Sequence, residues 1–459
     1  MAKSTKRKRV WCLALCAPFL LYALCFLLSA LCSMLSAFSF LLYAFRFLLS
    51  AFSFLLSAFR FSLFALFNKK YIFKCMNQRF YSLDVFRGAT VALMILVNNP
   101  GSWAHMFAPL DHASWHGCTP TDLVFPFFLF AVGNAMAFVM PKLEAEGSAA
   151  FWKKIIKRTI LIFCIGLFLN WFPFIKYNEA GNIVGKPFEN LRIFGVLQRI
   201  ALSYFFASVI VHFFKVRGSF VMSGCILLFY WFLCVAANPA DPYSISGWFG
   251  TGVDIKWLGE KHMYHGEGIA FDPEGLMNTF AAIVQVLLGY LVGNYIIQKG
   301  KTHEMLNGLF IAGCVLIFTG FCWDMVFPIN KKIWTSSYTV YTTGLAILIL
   351  SVLIYLIEFK NSKGIWSSFF DVFGKNALFI FAMSGILPRL MGLIRIGNGV
   401  NAEGKPLFLT PFSWFYEHLC RPVFPSLPNI GSLLYALCFI AMMWCFAWLL
   451  NKNKIYIRV

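Results

Sequence analysis

The sequence predicts an all-α polytopic membrane protein, with about ten core transmembrane helices behind an N-terminal hydrophobic heptad-repeat extension. Three observations carry that expectation. The 459 residues are 60% hydrophobic and 13% charged, with a mean hydropathy of +0.72, whereas soluble domains sit nearer half apolar and a quarter charged. From Met76 onward, about ten stretches are long enough to cross a ~30 Å hydrocarbon core. Their apolar residues run on continuously, unlike the short alternating segments of a membrane barrel.

The first element in chain order is the extension. Residues 18–66 are seven successive heptads: PFLLYAL, CFLLSAL, CSMLSAF, SFLLYAF, RFLLSAF, SFLLSAF and RFSLFAL. So regular a repeat points to repeat expansion, or to translation upstream of a start at Met76. A coiled coil does not fit, because nearly every heptad position is apolar and the polar e and g flanks are missing. The segment is long enough to cross a membrane once or twice behind the basic cluster Lys6 to Arg9, but it is not expected to carry chemistry. The chain therefore divides into residues 1–75, a low-complexity extension, and residues 76–459, the functional domain.

Within that domain the expected helices are 85–99, 120–140, 155–173, 191–213, 218–237, 276–298, 305–327, 334–358, 370–394 and 431–451. The formal net charge is +20, and residues 1–75 hold ten Lys and Arg with no acid, leaving +10 for the rest. Most of that remainder sits in short loops, where positive charge sets membrane orientation. Counting it places both ends of the domain in the cytoplasm and the loop after the first helix outside. No basic domain exists to carry nucleic-acid binding. Most of the 14 cysteines fall inside apolar segments, where they behave as small hydrophobes; Cys118 and Cys420 fall in outer loops, and no CxxC occurs.

The outer side collects six of the eight histidines: His105, His112, His116, His262, His265 and His418. Insertion alone does not explain that asymmetry, and groups that exchange protons near neutral pH are tools of acid–base or nucleophilic chemistry. His112 lies in DHASWHGC, just before Thr119-Pro120-Thr121-Asp122. A Thr cap, then Pro, then Asp in the first turn is good helix N-terminal chemistry, so Asp122 either caps the helix or orients an imidazole. His112 and His116 are four apart, a spacing open to zinc, but no third ligand or HExxH accompanies them, so no metal is expected. Asn98 and Asn99 end the first helix, as caps or as an amide donor to an oxyanion.

Other charges near the apolar segments are Asp84 and Arg87, three apart at the inner mouth of the first helix, and Arg199 in FGVLQRIALSYF. Arg87 fits an ion pair or a functional charge, and Arg199 fits partnership with an acid such as Asp122 or Glu274, or with a phosphate. In FDPEG, Asp272 and Glu274 meet the outer end of a helix, either favouring its N-terminus or holding an amine. Lys153, Lys154, Lys157 and Arg158 form an inner basic cluster that fixes topology or attracts phosphates. No phosphate-binding glycine motif supports ATP or NAD.

The segment HASWHG followed by PTDLVFP resembles the heparan-α-glucosaminide N-acetyltransferases and their bacterial relatives. GVLQR (195–199), WLGEKHMYHGEGIAFDPEG (257–275), PINKKIWTSSY (328–338) and FGKNAL (373–378) are similar to that family's blocks, in its order. The resemblance implies a transmembrane acyltransferase in which acetyl-CoA, the co-substrate, is used from the cytoplasmic side and the amine of a glucosamine-type sugar or glycan is acetylated outside. It implies His112 as the catalytic residue, as general base or as covalent acetyl carrier, with Asn98 and Asp122 beside it. Arg87, Arg199 and the Lys153–Arg158 cluster are then expected toward acetyl-CoA, and His262, Asp272 and Glu274 toward the sugar. The chain departs from the family in its repetitive start and in lacking the luminal domain of the animal enzymes, which points away from lysosomal heparan and toward a multi-pass protein of the bacterial inner membrane. Lipid is the expected surrounding partner, and a homo-oligomer remains open. An amino-sugar permease is the alternative, although no internal repeat is found and a histidine-lined outer loop does not suit a midplane substrate path.

Overall fold

The computed structural model describes residues 80–178, 181–400 and 406–457; the heptad repeat and the expected boundary at Met76 lie outside them. Among the described residues, helices dominate. α1 (Tyr81–Asn98) is followed by a 3-10 turn, Pro120–Leu123, that leads into α2 (Val124–Ala145) and then α3 (Ser148–Trp171). A 42-residue helical run, α4 (Val196–Ala237), comes next, and short α5 (Phe249–Leu258) precedes α6 (Thr279–Lys299), α7 (His303–Asp324) and α8 (Ser336–Ile354). α9 (Ile365–Lys375), α10 (Ala377–Met391), short α11 (Pro411–Phe415) and α12 (Pro428–Lys452) complete the order.

Seven of these segments are long and apolar enough to cross a membrane, and the bent pair α9–α10 makes an eighth. The run α4 is about 63 Å long at the α-helical rise, twice a hydrocarbon core. It breaks at Lys215, whose φ of +54° lies in the left-handed region, so it supplies two crossings and matches the two helices expected there. α3 is long enough too, but its first half carries Lys153, Lys154, Lys157 and Arg158. With the second half of α4, the bent pair and α3, all ten expected segments are helical. The protein is a multi-pass membrane protein.

Two boundaries differ instructively from expectation. Residues 191–195 were expected in a helix, but the helix begins at Val196, because the preceding segment is an extended arm that places Arg192. The span expected at 370–394 is two helices meeting at 80°, with Asn376 at the corner, where its amide donates to Ile455 O and its oxygen accepts from Ile457 N.

The centre is built on α2 and α6. Each has 72% of its most apolar stretch buried, against 28% for α7 and α12. No hydrophobic force pulls helices together in lipid, so small residues that allow close approach hold the interface. Gly133 does this on α2: a Cβ there would stand 2.0 Å from Val286 O. α6 answers with Gly289 and Gly293, where a Cβ would fall 2.2 Å from Phe130 O and 2.9 Å from Asn134 O. α8 packs alongside, contributing Ala346, Ile347, Leu350 and Ile354 to a cluster with Phe86, Phe127 and Phe130.

Alternate crossings send the loop residues 99–119, 172–178, 181–195, 238–278, 325–335, 392–400 and 406–427 to one face, here called the histidine face. Its added structure is two antiparallel hairpins, β1 (Ile175–Tyr177) with β2 (Ile183–Gly185) and β3 (Ile396–Val400) with β4 (Pro406–Leu409). These strands were not expected from the sequence. The close approach at Gly133 predicts that Gly133→Ala overpacks the α2–α6 seam and costs about 1–3 kcal/mol of stability, read as a lower thermal midpoint. Gly385→Ala in α10, where a Cβ meets nothing within 4 Å, should leave the midpoint unchanged or slightly raised. Size-exclusion fluorescence after heating reads both.

Candidate active site

The loop after α1 is shaped by one carboxylate. Thr119 precedes the 3-10 turn with Pro120 at its first position, and Asp122 reaches back: its Oδ2 accepts from Thr119 N at 3.0 Å and Thr119 Oγ1 at 3.1 Å. This is the reciprocal arm of a capping box. The same Oδ2 accepts from Ala113 N at 3.1 Å, while Oδ1 lies 2.7 Å from His112 Nδ1. The Asp122 side chain is 1% exposed and that of His112 40%, so the carboxylate is hidden beneath an imidazole that remains open.

A second loop closes over the first. Gly117, at φ +104° where a side chain would be strained, donates its N–H to Ile329 O at 2.8 Å and bridges to Asn330. Asn330 organises the turn that follows, accepting from Ile333 N at 3.0 Å and donating its own N–H to Thr335 Oγ1 at 3.1 Å. Trp334 closes that turn with a φ of +49° and is buried. Two lysines consequently point back at the histidine loop. Lys331 Nζ stands 3.0 Å from His112 Nδ1, 3.3 Å from its Nε2 and 3.4 Å from Asp122 Oδ1. Lys332 Nζ donates to Ser114 O at 2.8 Å and to Glu267 Oε2 at 2.6 Å, above the Trp115 ring. Burial pushes the Lys331 pKa below its ordinary value, while Asp122 and Glu274 pull it back up. Burial also lowers His116, against the pull of Asp324.

The remaining wall comes from FDPEG and the arm before α4. Arg192 donates to both oxygens of the buried Asp272, Nε to Oδ2 at 3.0 Å and Nη2 to Oδ1 at 2.7 Å, and also to Glu274 Oε2. Burial works against this guanidinium's charge, but Glu274 and Asp272 outweigh it and raise its pKa. Arg199, wholly buried, donates through Nη2 to Pro273 O at 2.5 Å and to Asn278 Oδ1, beneath the Trp334 ring. Its Nε and Nη1 have no acceptor among the described residues.

These groups line a cleft of about 240 Å³ on the histidine face, walled by His112, Asp122, Lys331, Arg199, Glu274 and the aromatic rings of Trp115, Tyr264 and Trp334 among others. Several residues singled out from sequence therefore meet there: His112, Asp122, Arg199 and Glu274. Others do not. Asn98 is exposed at the end of α1 and lies outside the cleft lining. His262 lies outside the cleft lining and meets Leu191 O with Nδ1 at 2.7 Å, which steadies the arm carrying Arg192. Asp272 is occupied by Arg192 and by Glu274 N. Of the partners weighed for Arg199, an acid or a phosphate, no carboxylate meets it among the hydrogen bonds of the described residues; it donates to neutral oxygens and lies apart from Arg87, with which it was grouped.

Arg87 belongs to the opposite face, about 16 Å back along α1 from Asn98. It donates to Asp84 Oδ1 and Gly374 O, each at 2.8 Å, and borders a second cleft of about 260 Å³ with Asn134 and Phe138. Lys153, Lys154 and Lys157 are exposed on the first turns of α3, Lys154 pairing with Glu146 at 2.5 Å, while Arg158 stacks on Tyr204. Cys118 and Cys420 are both free thiols; burial, then Asp122, pushes that of Cys118 up to about 12.

Sequence reasoning did not single out Lys331, which it met only inside the block PINKKIWTSSY, and it passed over Arg192 by placing it in the helix expected at 191–213. The signals were present: adjacent lysines on the histidine side, and two acids in FDPEG that needed a cation.

The chain is 29% identical to heparan-alpha-glucosaminide N-acetyltransferase of Homo sapiens over 360 residues, covering 66% of this chain and 52% of that protein. It is 28% identical to the Mus musculus protein of the same name over 366 residues, covering 67% of this chain and 54% of the relative. The chain thus spans about half the length of the curated relatives it matches. No family model matches it. By those two matches, the chain is similar to the heparan-alpha-glucosaminide N-acetyltransferases over about two thirds of its own length.

Proposed function

We propose that the protein is an acetyltransferase that moves an acetyl group from acetyl-CoA, taken at the cytoplasmic face, onto the amine of a glucosamine-type sugar at the histidine face. The observation that carries this reading is the buried Asp122 carboxylate 2.7 Å from Nδ1 of an open His112. Asp122 cannot donate when ionised, so the pair assigns the proton to Nδ1 and leaves the Nε2 lone pair for the cleft. Such an imidazole can take a proton from an attacking amine or accept the acetyl group itself. The two routes differ in kinetics, ping-pong for the covalent one and a ternary complex for the direct one.

The cleft suits an amino sugar. Trp115 and Tyr264 offer amphipathic rings, and Glu267 and Glu274 offer carboxylates to hydroxyls or to an ammonium. For acetyl-CoA, the proposal assigns the opposite cleft beside Arg87, with Lys153, Lys154, Lys157 and Arg158 drawing in its phosphates. The bacterial inner membrane is the proposed location, and residues 1–75 are proposed to be dispensable.

The deciding experiment uses sealed vesicles of known orientation, labelled acetyl-CoA on one side and amino sugars on the other. Label should appear on sugar that stays on its own side; passage of unmodified sugar without acetylation would establish a carrier instead. His112→Ala should lower turnover by roughly 100- to 10,000-fold with insertion intact, and His116→Ala by far less. Asp122→Asn should preserve the loop, because the amide oxygen can still accept from Ala113 and Thr119, yet its NH2 would face Nδ1 and force the proton onto Nε2. A rate loss on the order of 10,000-fold with an unchanged melting point is expected. Melting-point loss with near-normal turnover would make Asp122 a cap and nothing more.

A further inference from the structure

We propose that Lys331 is a catalytic residue whose ammonium binds the oxyanion formed when the acetyl carbonyl is attacked. The proposal rests on the acetyl-transfer reading and adds to it the group that stabilises its transition state. Nζ is nearly equidistant from the two nitrogens of His112, 3.0 Å from Nδ1 and 3.3 Å from Nε2. That position stands over the ring face and not along either in-plane lone pair. Nδ1 is taken up by Asp122, so the reacting lone pair is that of Nε2. A carbonyl carbon held at Nε2 can direct its oxygen out of the ring plane, on the side where Lys331 stands.

The bonding changes need such a group in either route. The attacking nitrogen's lone pair forms the N–C bond and the carbonyl π pair moves onto oxygen. That pair then returns as the C–S bond breaks and the sulfur leaves as thiol. In the direct route its proton is the amine proton passed through His112. In the covalent route it is the His112 ring proton, which the amine restores when it attacks the acetyl-imidazole and breaks the Nε2–C bond. The negative charge in between is confined to one oxygen, in a cleft partly withdrawn from water, where a fixed donor is worth more than in solution. Lys331 is fixed. Its side chain is 21% exposed, and its turn is pinned by Asn330, Thr335 and the Gly117–Ile329 hydrogen bond. Among the described residues, Lys331 is the cation that meets the His112 ring, and Asn98, the donor expected from sequence, lies outside the cleft lining.

A purely structural Lys331 would do no more than neutralise Asp122, and the two roles give opposite signs in one measurement. Diethyl pyrocarbonate acylates imidazole through a tetrahedral oxyanion and requires neither acetyl-CoA nor sugar. Its rate at His112 can be followed by peptide mass spectrometry, with His303 on the opposite face as internal reference. In Lys331→Met, loss of the oxyanion donor should slow His112 acylation at least 10-fold. Rates are compared on their high-pH plateau, where the imidazole is neutral with or without the lysine; a lysine that only opposes Asp122 leaves that plateau unchanged or higher, which overturns the proposal. Lys331→Arg, which keeps the charge, should stay within a few-fold of the parent and guards against misfolding of the methionine variant. In acetyl transfer, Lys331→Met should cost roughly 100- to 1,000-fold in kcat with little change in KM for the sugar. A raised KM at unchanged kcat would make Lys331 a substrate anchor and reject the oxyanion role. Slowed acylation in vesicles that show no acetyl transfer would uphold Lys331 and dismiss the acetyl-transfer reading, so the two fail separately.

Discussion

The histidine face depends on a single buried carboxylate. Asp122 holds four groups at once: the His112 ring, the Ala113 N–H, and the N–H and hydroxyl of Thr119. A carboxylate 1% exposed is costly to desolvate unless its lone pairs are engaged, so these partners are what makes it tolerable. In return it fixes a loop whose own secondary structure is limited to a 3-10 turn at Ala108–Leu110 and the bridge at Gly117. The sequence PTDLVFP thereby does two jobs, beginning a membrane helix and aiming an imidazole, and the capping and orienting roles of Asp122 are one arrangement.

A second cluster follows the same rule of charge satisfied by charge. Asp272 and Glu274 sit at the approach to α6, where carboxylates are favoured by the helix dipole, and Arg192 crosses from the arm before α4 to hold both. Arg199 is the exception. It is fully buried with neutral acceptors on one nitrogen and aromatic faces of Trp334 and Phe125 nearby. A guanidinium in that setting is destabilising by several kcal/mol relative to a paired one, and it persists at the floor of the cleft that holds His112. Rule-breaking of this kind is expected at functional sites and not in the packing that supports them.

The helices were legible because hydropathy over some twenty residues is a strong signal in lipid, where every backbone group must be bonded within its own segment. The His112–Asp122 pair was legible because its ten-residue separation is local and its capping chemistry has a recognisable pattern. What stayed hidden is long-range. Lys331 is 219 residues from His112 and Arg192 is 80 from Asp272, and nothing in local composition reports which loops on one face will meet. The hairpins escaped for a different reason. β1 and β2 are three residues each, too short for an alternation to stand out, and they are held by neighbours such as Lys186, whose ammonium donates to Asn170 O.

The two clefts impose a constraint on any acetyl transfer through this protein. Asp122 borders one and Asn134 the other, and twelve residues of helical rise separate them by about 18 Å. The intervening space is packed, but it is not purely apolar. Gln285 of α6 is buried there with no partner for its Nε2 among the described residues, and Thr342 of α8 donates to its Oε1 at 3.4 Å. Tyr338, one turn toward the histidine face, donates to Asp122 O at 2.5 Å. If an acetyl donor binds at the Arg87 cleft as proposed, it must either extend its acetyl-bearing arm along this polar line or wait for α2, α6 and α8 to part. Gly133, Gly289 and Gly293 argue for the arm, since a seam closed by backbone contact at three points is a poor place for a gate.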